Sequence, residues 1–146
     1  MILDELLKLA AGQQVTVDAV STSSYDAGNV TPKRNIAEGT ALAIVVVITA
    51  IGTNTGSVKF EAIQSAAAAL TSPKILGEVD AETADIAVGA TFIIPIGRGI
   101  PSLRYFGLNN NITGTVDYTY SAWIVPRNAA VGLAQFYARA YTVDLS

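Results

Sequence analysis

A chain of 146 residues with nine bases, twelve acids, no histidine and no cysteine has one domain's length, and it excludes Ser-His-Asp and Cys-His catalysis, thiolate metal sites and disulfides. The formal charge of −3, with Lys33 and Arg34 as the one adjacent pair of bases, argues against a phosphate backbone as partner, because counterion-releasing contacts need clustered Lys and Arg. With 14% charged and 51% apolar residues, the surface is poor in charge, which favours a chain that covers part of itself with a partner.

From the start, Ile2, Leu3, Leu6, Leu7 and Leu9 alternate with Asp4, Glu5 and Lys8 at a spacing that suits one or two turns of amphipathic helix, ended by Gly12. The early acids do not fit a signal peptide. Residues 14–20 alternate as a strand, Tyr25-Asp26-Ala27-Gly28 follows a polar link, and residues 29–39 read as a long surface loop. The run at 41–51 is β-branched and apolar on both faces, which predicts a central strand covered on both sides. It is far shorter than the about 20 residues a membrane helix needs, so no membrane partner is expected.

Residues 52–56 read as a hairpin connection, after which Val58, Phe60 and Ala62 face the core and Lys59 and Glu61 face water. The small residues at 65–72 suit a loop or a helical turn. Residues 74–79 form a short strand, 80–85 an acidic link, and 86–94 a strand leading into Pro95, Gly97, Arg98, Gly99 and Pro101, where the chain must turn a corner. Leu103 and Tyr105 open another strand, and Asn109-Asn-Asn-Ile-Thr-Gly114 supplies a turn. In the strand at 115–125, Val116, Tyr118, Tyr120, Ala122 and Ile124 oppose Asp117, Thr119, Ser121, Trp123 and Val125. Trp123 interrupts the polar face, so its ring needs a loop, the tail or a neighbouring subunit over it. Pro126 closes that strand, and 134–143 alternates as a last one, with a helix as the alternative there. Seven or eight strands with turn signals between them, and no long helix, predict an all-β fold, a β-sandwich or jelly roll.

Candidate chemistry is sparse. Glu78, Asp80, Glu82 and Asp85 could hold calcium but lack the glycine and spacing of a calcium loop. A carboxylate pair for glycoside hydrolysis is compatible with twelve acids but has no motif. Gly97-Arg98-Gly99 is a weak phosphate-loop match and reads as a corner; Arg104-Tyr105-Phe106 reads as packed strand rather than a base-stacking platform. Asn29-Val30-Thr31 and Asn111-Ile112-Thr113 match the glycosylation acceptor pattern by chance. No catalytic, cofactor or metal residue is assigned. An alternative reading, a carbohydrate-binding jelly roll of a tail fibre or adhesin, would use Tyr118, Tyr120 and Trp123 as a sugar-stacking platform.

Several stretches in order, the MILD start with its leucines, Tyr25-Asp26-x-Gly28, Arg34-Asn-Ile-Ala-Glu-Gly39 leading into Leu42 to Ile48, Phe92-Ile-Ile-Pro-Ile-Gly97, Leu103-Arg-Tyr105, Thr113-Gly114 and Ser121-Ala122, resemble the capsid cement (decoration) protein family of tailed bacteriophages, including that of a Bordetella phage. The resemblance runs from residue 1 to about residue 126. It implies a non-enzymatic jelly-roll subunit that forms homotrimers on the outer capsid surface of the virion and stabilises the capsid by bridging major capsid protein subunits. The expected organisation is a cement domain at 1–126, with residues 1–12 as an N-terminal arm, and a C-terminal extension at 127–146 that supplies an extra strand or interface tail. Ile2, Leu3, Leu6, Leu7, Trp123, Phe136, Tyr137, Arg139 and Tyr141 are the expected interface residues.

Overall fold

The computed structural model describes residues 8–26, 42–96 and 103–126. They form nine strands: β1 (Lys8–Val15), β2 (Ala19–Val20), β3 (Tyr25–Asp26), β4 (Leu42–Ile51), β5 (Ser57–Ser65), β6 (Lys74–Ala81), β7 (Thr91–Ile96), β8 (Tyr105–Thr113) and β9 (Tyr118–Pro126), with a single 3-10 turn at Thr83–Asp85. The first sheet has the order β1-β9-β4-β7, the second β2-β8-β5-β6, and β3 also pairs with β8. Every pairing is antiparallel.

The pairings are nested. β5 pairs with β6, β4 with β7, β2 and β3 with β8, and β1 with β9, as in one long hairpin. Rolling that hairpin adds the β4–β9 and β5–β8 ladders, which close it into two facing sheets. This is a jelly roll: full pairing of the inner strands leaves few edges to protect.

The core lies between the sheets. Ile44, Val46, Ile48, Ile94, Tyr118, Tyr120, Ala122 and Ile124 of the first sheet meet Val58, Phe60, Ala62, Phe106 and Leu108 of the second. The aromatic rings share contacts rather than stacking flat: Phe60 and Tyr118 lie 6.1 Å apart edge to face, and Phe60 and Phe92 5.0 Å apart. Each fully buried Ile, Leu or Phe contributes about 1.5–3 kcal/mol from lost water contact alone. Alternation along β9 decides which face is core, as the sequence pattern predicts; along β5 it sets which side points inward, but Glu61, expected to face water, is 5% exposed and accepts from Asn109 Nδ2.

Other expectations need correction. Residues 8–10 are strand rather than helix, and the expected arm at 1–12 gives residues 8–12 to β1. Gly12, at φ +66°, does not end a helix; it sits where the β1–β9 register is irregular, and its N–H donates to Ser121 Oγ at 3.0 Å. The expected strand at 14–20 breaks at 16–18, where Val17 is 69% exposed and Asp18 Oδ1 accepts from the Ile112 N–H at 2.7 Å. Residues 52–56 cross from one sheet to the other and are not a hairpin. The strand expected at 86–94 starts at Thr91, because residues 86–90 turn around Gly89 (φ +85°) while Ile86 drops into the core. The turn expected at 109–114 begins late: Asn109, Asn110 and Asn111 all lie within β8.

The sheets meet closely along β6 and β7. Gly77 lies opposite Ala62 in the inward row, and a Cβ there would strike the Pro95 carbonyl oxygen. That neighbour is backbone of β7 and cannot rotate away. Gly77→Ala is expected to lower unfolding free energy by about 1–3 kcal/mol, the usual cost of overpacking, read from the midpoint of denaturant unfolding; a wild-type midpoint would mean that the two sheets close differently here.

Candidate interaction surface

Antiparallel pairing sorts the strand ends onto two ends of the sandwich, and the two differ. At one end the connections at 16–18, 52–56, 82–90 and 114–117 are stitched together. Gly52 N–H donates to Asp117 O at 2.7 Å, Asp117 N–H to Asn54 Oδ1 at 3.0 Å, Gly56 N–H to Thr115 O at 2.8 Å, and Thr83 Oγ1 to Gly56 O at 2.5 Å. Backbone groups that leave the ladders are thus satisfied by neighbouring turns. The other end gathers Lys8 opposite Trp123, Leu42 opposite both Ile96 and Pro126, and Asp26 opposite Tyr105. Residues 1–7, 27–41, 97–102 and 127–146 therefore all join the sandwich at this end.

One ion pair braces that end. Arg104 Nε and Nη2 donate to the two Asp26 carboxylate oxygens at 2.7 and 2.8 Å, and the guanidinium sits 5.0 Å from the Tyr105 ring centroid. The planar fork matches the carboxylate in two parallel bonds, which fixes direction as well as distance. Asp26 stands just before the 27–41 connection and Arg104 just after 97–102, so the pair pins the roots of both. Beside it, residues 66–73 fold back on the second sheet: Leu70, at φ +60°, is buried against Gly107, and Ser65 Oγ donates to Thr71 O.

The outer faces of the two sheets also differ. On the second sheet the outward rows run Asn111–Lys59–Asp80 and Asn109–Glu61–Glu78, then Gly107–Ile63–Ile75. Lys59 lies 3.9 Å from Glu78 and 4.0 Å from Asp80, Asn109 Nδ2 donates to Glu61 at 2.7 Å, and Ile75 is 54% exposed. A polar hollow of about 120 Å³ opens between Ser57, Lys59, Asp80, Glu82, Asn111 and Thr113. On the first sheet the outward rows run Pro95–Ala43–Val125, Ile93–Val45–Trp123–Lys8 and Thr91–Val47–Ser121. Ala43, Val45, Val47, Trp123 and Val125 form a second buried cluster, with Ile93 packed against it and Lys8 Nζ 6.0 Å from the Trp123 centroid. The face is apolar toward the end that receives the connections and turns to Thr and Ser toward the stitched end.

A polar spine crosses the core. Tyr118 Oη donates to Asn110 Oδ1 at 2.7 Å; Asn110 Nδ2 donates to Tyr120 Oη at 3.2 Å and to Ala19 O at 3.1 Å. Tyr120 Oη donates to Gln13 Oε1 at 3.0 Å, and Gln13 Nε2 to Val20 O at 2.9 Å. Both phenols and the amide are fully buried. Burial pushes the Tyr120 phenol up to about 12, the Asn110 bond opposing it, and pushes Tyr118 further above its ordinary value, helped by Tyr120. Neutral phenols of this kind hold a fold in register rather than move protons at neutral pH.

The expected site residues separate accordingly. Trp123 is on the outer face and only 9% exposed, so its ring is covered. Ile2, Leu3, Leu6, Leu7, Phe136, Tyr137, Arg139 and Tyr141 lie outside the described residues, as do Asn29 and Gly97 to Gly99. The sugar platform fails, because Tyr118 and Tyr120 point into the core and Trp123 points the other way, as strand alternation demands. Among the calcium candidates, Glu78 and Asp80 face Lys59, while Asp85 Oδ2 accepts from the Glu82 N–H at 3.0 Å; among the described residues no three carboxylates cluster. Asn110 lies in strand rather than in the expected turn, and the signal for its role is the pair of tyrosines two residues apart, whose hydroxyls need partners once their rings are inward.

A protein-family model, Bbp16, matches residues 9–122, well over half of the chain. No curated protein matches it.

Two outcomes follow from the spine. Asn110→Leu leaves the buried Tyr118 hydroxyl without its acceptor and the Ala19 carbonyl without its side-chain donor, and is expected to cost about 2–4 kcal/mol, against about 1–3 kcal/mol for Tyr118→Phe, which leaves one buried acceptor, Asn110 Oδ1, without its donor. Alkali gives a second reading. An unfolded tyrosine ionises near pH 10 while the folded pair keeps its protons, so above that pH the unfolded chain binds fewer protons and stability falls, by about 1.4 kcal/mol per pH unit for each phenol. Urea midpoints between pH 10 and 12 should fall steeply for the wild type and at roughly half that slope for Tyr118→Phe. Equal slopes would show that Tyr118 titrates freely in the fold.

Proposed function

Because the chain belongs to the Bbp16 family, whose name points to a Bordetella phage protein, we propose that it is a structural virion protein of the cement type: a subunit that sits on the outer capsid surface, trimerises with itself and bridges neighbouring copies of the major capsid protein. The observation that supports this reading best is the asymmetry of the jelly roll. One end is stitched by cross-bonded connections, while the other receives the longest connection, residues 27–41, together with the chain on both sides of the domain. Connections gathered at one end of a paired scaffold are the arrangement by which loops carry recognition. A subunit of this design needs no reaction centre, because three copies contacting several partners multiply modest affinities into tight attachment.

The surfaces fit such a role. The outer face of the second sheet sets the charged groups Lys59, Glu78 and Asp80 beside the exposed Ile75, whereas the apolar outer face of the first sheet is already buried. Assembly interfaces of about 800 Å² per partner draw on apolar centres with polar rims.

The test is native mass followed by capsid binding. The purified chain is expected to run as a trimer at micromolar concentration and, added to bare capsids of its phage, to raise the temperature at which they open. Arg104→Glu, which turns the Asp26 pair into a repulsion at the root of the connections, is expected to weaken capsid attachment while leaving the β-sheet circular dichroism intact. A monomer that neither binds capsids nor changes their opening temperature would sink the proposal.

A further inference from the structure

We propose that the apolar outer face of the first sheet is the docking site for the C-terminal segment of the same chain, residues 127–146. The argument starts from a mismatch. Ala43, Val45, Val47 and Val125 are all 3% exposed or less, as well sealed as the core, yet the second sheet lies on the opposite side of their strands and Ile93 is the apolar neighbour from within their own sheet. Water is excluded from a face over which no described strand lies.

Reach and composition then choose among the four remaining segments. Residues 97–102 must carry the chain from β7 of the first sheet to β8 of the second, and residues 27–41 from β3 of the second to β4 of the first, the latter with only Val30 and Ile36 as large apolar residues beside Lys33, Arg34 and Glu38. The seven residues 1–7 enter at Lys8, on the edge strand farthest from Ile93. To cover Val45 and Ile93 they would have to double back over β1 and β9, across three strand spacings of about 4.8 Å each. Residues 127–146 leave from Pro126, directly beside Val125 and opposite Leu42, at the apolar end of the face. Twenty residues extend to as much as about 66 Å, while the patch from Ala43 to Val47 is about 13 Å long. Their sequence carries Val131, Leu133, Phe136, Tyr137, Tyr141, Val143 and Leu145 among few charges. The inference stands apart from the capsid reading: it concerns how the fold is completed, whatever the fold is attached to.

Trp123 makes the proposal measurable, since it is the one tryptophan of the sequence and stands on this face. In the full chain, replacing Leu133, Phe136, Tyr137 and Tyr141 together by Ser is expected to shift its emission to longer wavelength and raise acrylamide quenching several-fold with native mass unchanged. The matching replacement of Leu3, Leu6 and Leu7 is expected to leave both readings as in the wild type. Exposure caused by the N-terminal variant instead, or by neither, overturns the assignment. So does exposure that appears on dilution of the unaltered chain, which would make the cover a second copy. Because the quadruple variant could lose its fold, a second measurement uses the absence of native cysteine: Ile93→Cys combined in turn with Ala134→Cys, Ala138→Cys and Tyr141→Cys should give, for at least one pair, a disulfide within a single chain on oxidation. Disulfides only between chains, or none, overturn it.

Discussion

The arrangement depends on one buried amide. Asn110 occupies an inward position of β8 and is shared between the hydroxyls of Tyr118 and Tyr120, which reach it from the opposite sheet. In an apolar interior such groups are costly unless each finds its partner, and only one register of β8 against β9 satisfies all three. Hydrophobic rows alone tolerate sliding by two residues, since the alternation repeats. The amide removes that freedom, and through Gln13 it extends the constraint to β1 and to the carbonyls of β2. Strands from both ends of the sequence are thereby aligned by hydrogen bonds that no local segment could specify.

That constraint also explains the division between what the sequence made legible and what it did not. β4 could be placed at the centre because a β-branched run apolar on both faces has no other stable setting, and it is indeed flanked by β7 and β9. The inward set on β9 followed from alternation. Local chemistry misled where tertiary contacts outweigh it. Three consecutive asparagines favour a turn in isolation, yet a strand position is favourable here because Asn110 finds phenols and Asn109 finds Glu61. Gly52 and Gly56 do mark a turn, but turn residues carry no information about whether the next strand stays in the same sheet. The leucines at the start have helical spacing, and pairing with β9 overrides it from Lys8 onward.

The candidate surface was legible in part for the same reason. Trp123 stood out as an apolar residue on an otherwise polar row, and the demand that something cover it came from its pattern alone. What the pattern could not supply is that Val45, Val47, Ala43 and Val125 join it, since their shared face is created by pairing β4 with β9, residues about 80 apart in sequence. Nor could it supply the sorting of connections to one end, which is a property of nested pairing.

Nested pairing also decides where the connections lie. In a rolled hairpin, successive connections alternate between the two ends, so a long one such as residues 27–41 is accommodated at one end without disturbing any ladder. The connections at the other end are cross-bonded through Asn54, Asp117 and Thr115, which keeps the strands aligned there. The Asp26–Arg104 pair then acts at the boundary between the two regimes, since it ties β3 to β8 where paired backbone gives way to connection. Paired and cross-bonded backbone at one end, with the longest connection at the other, separates the groups that hold the fold from the residues left over for contacts.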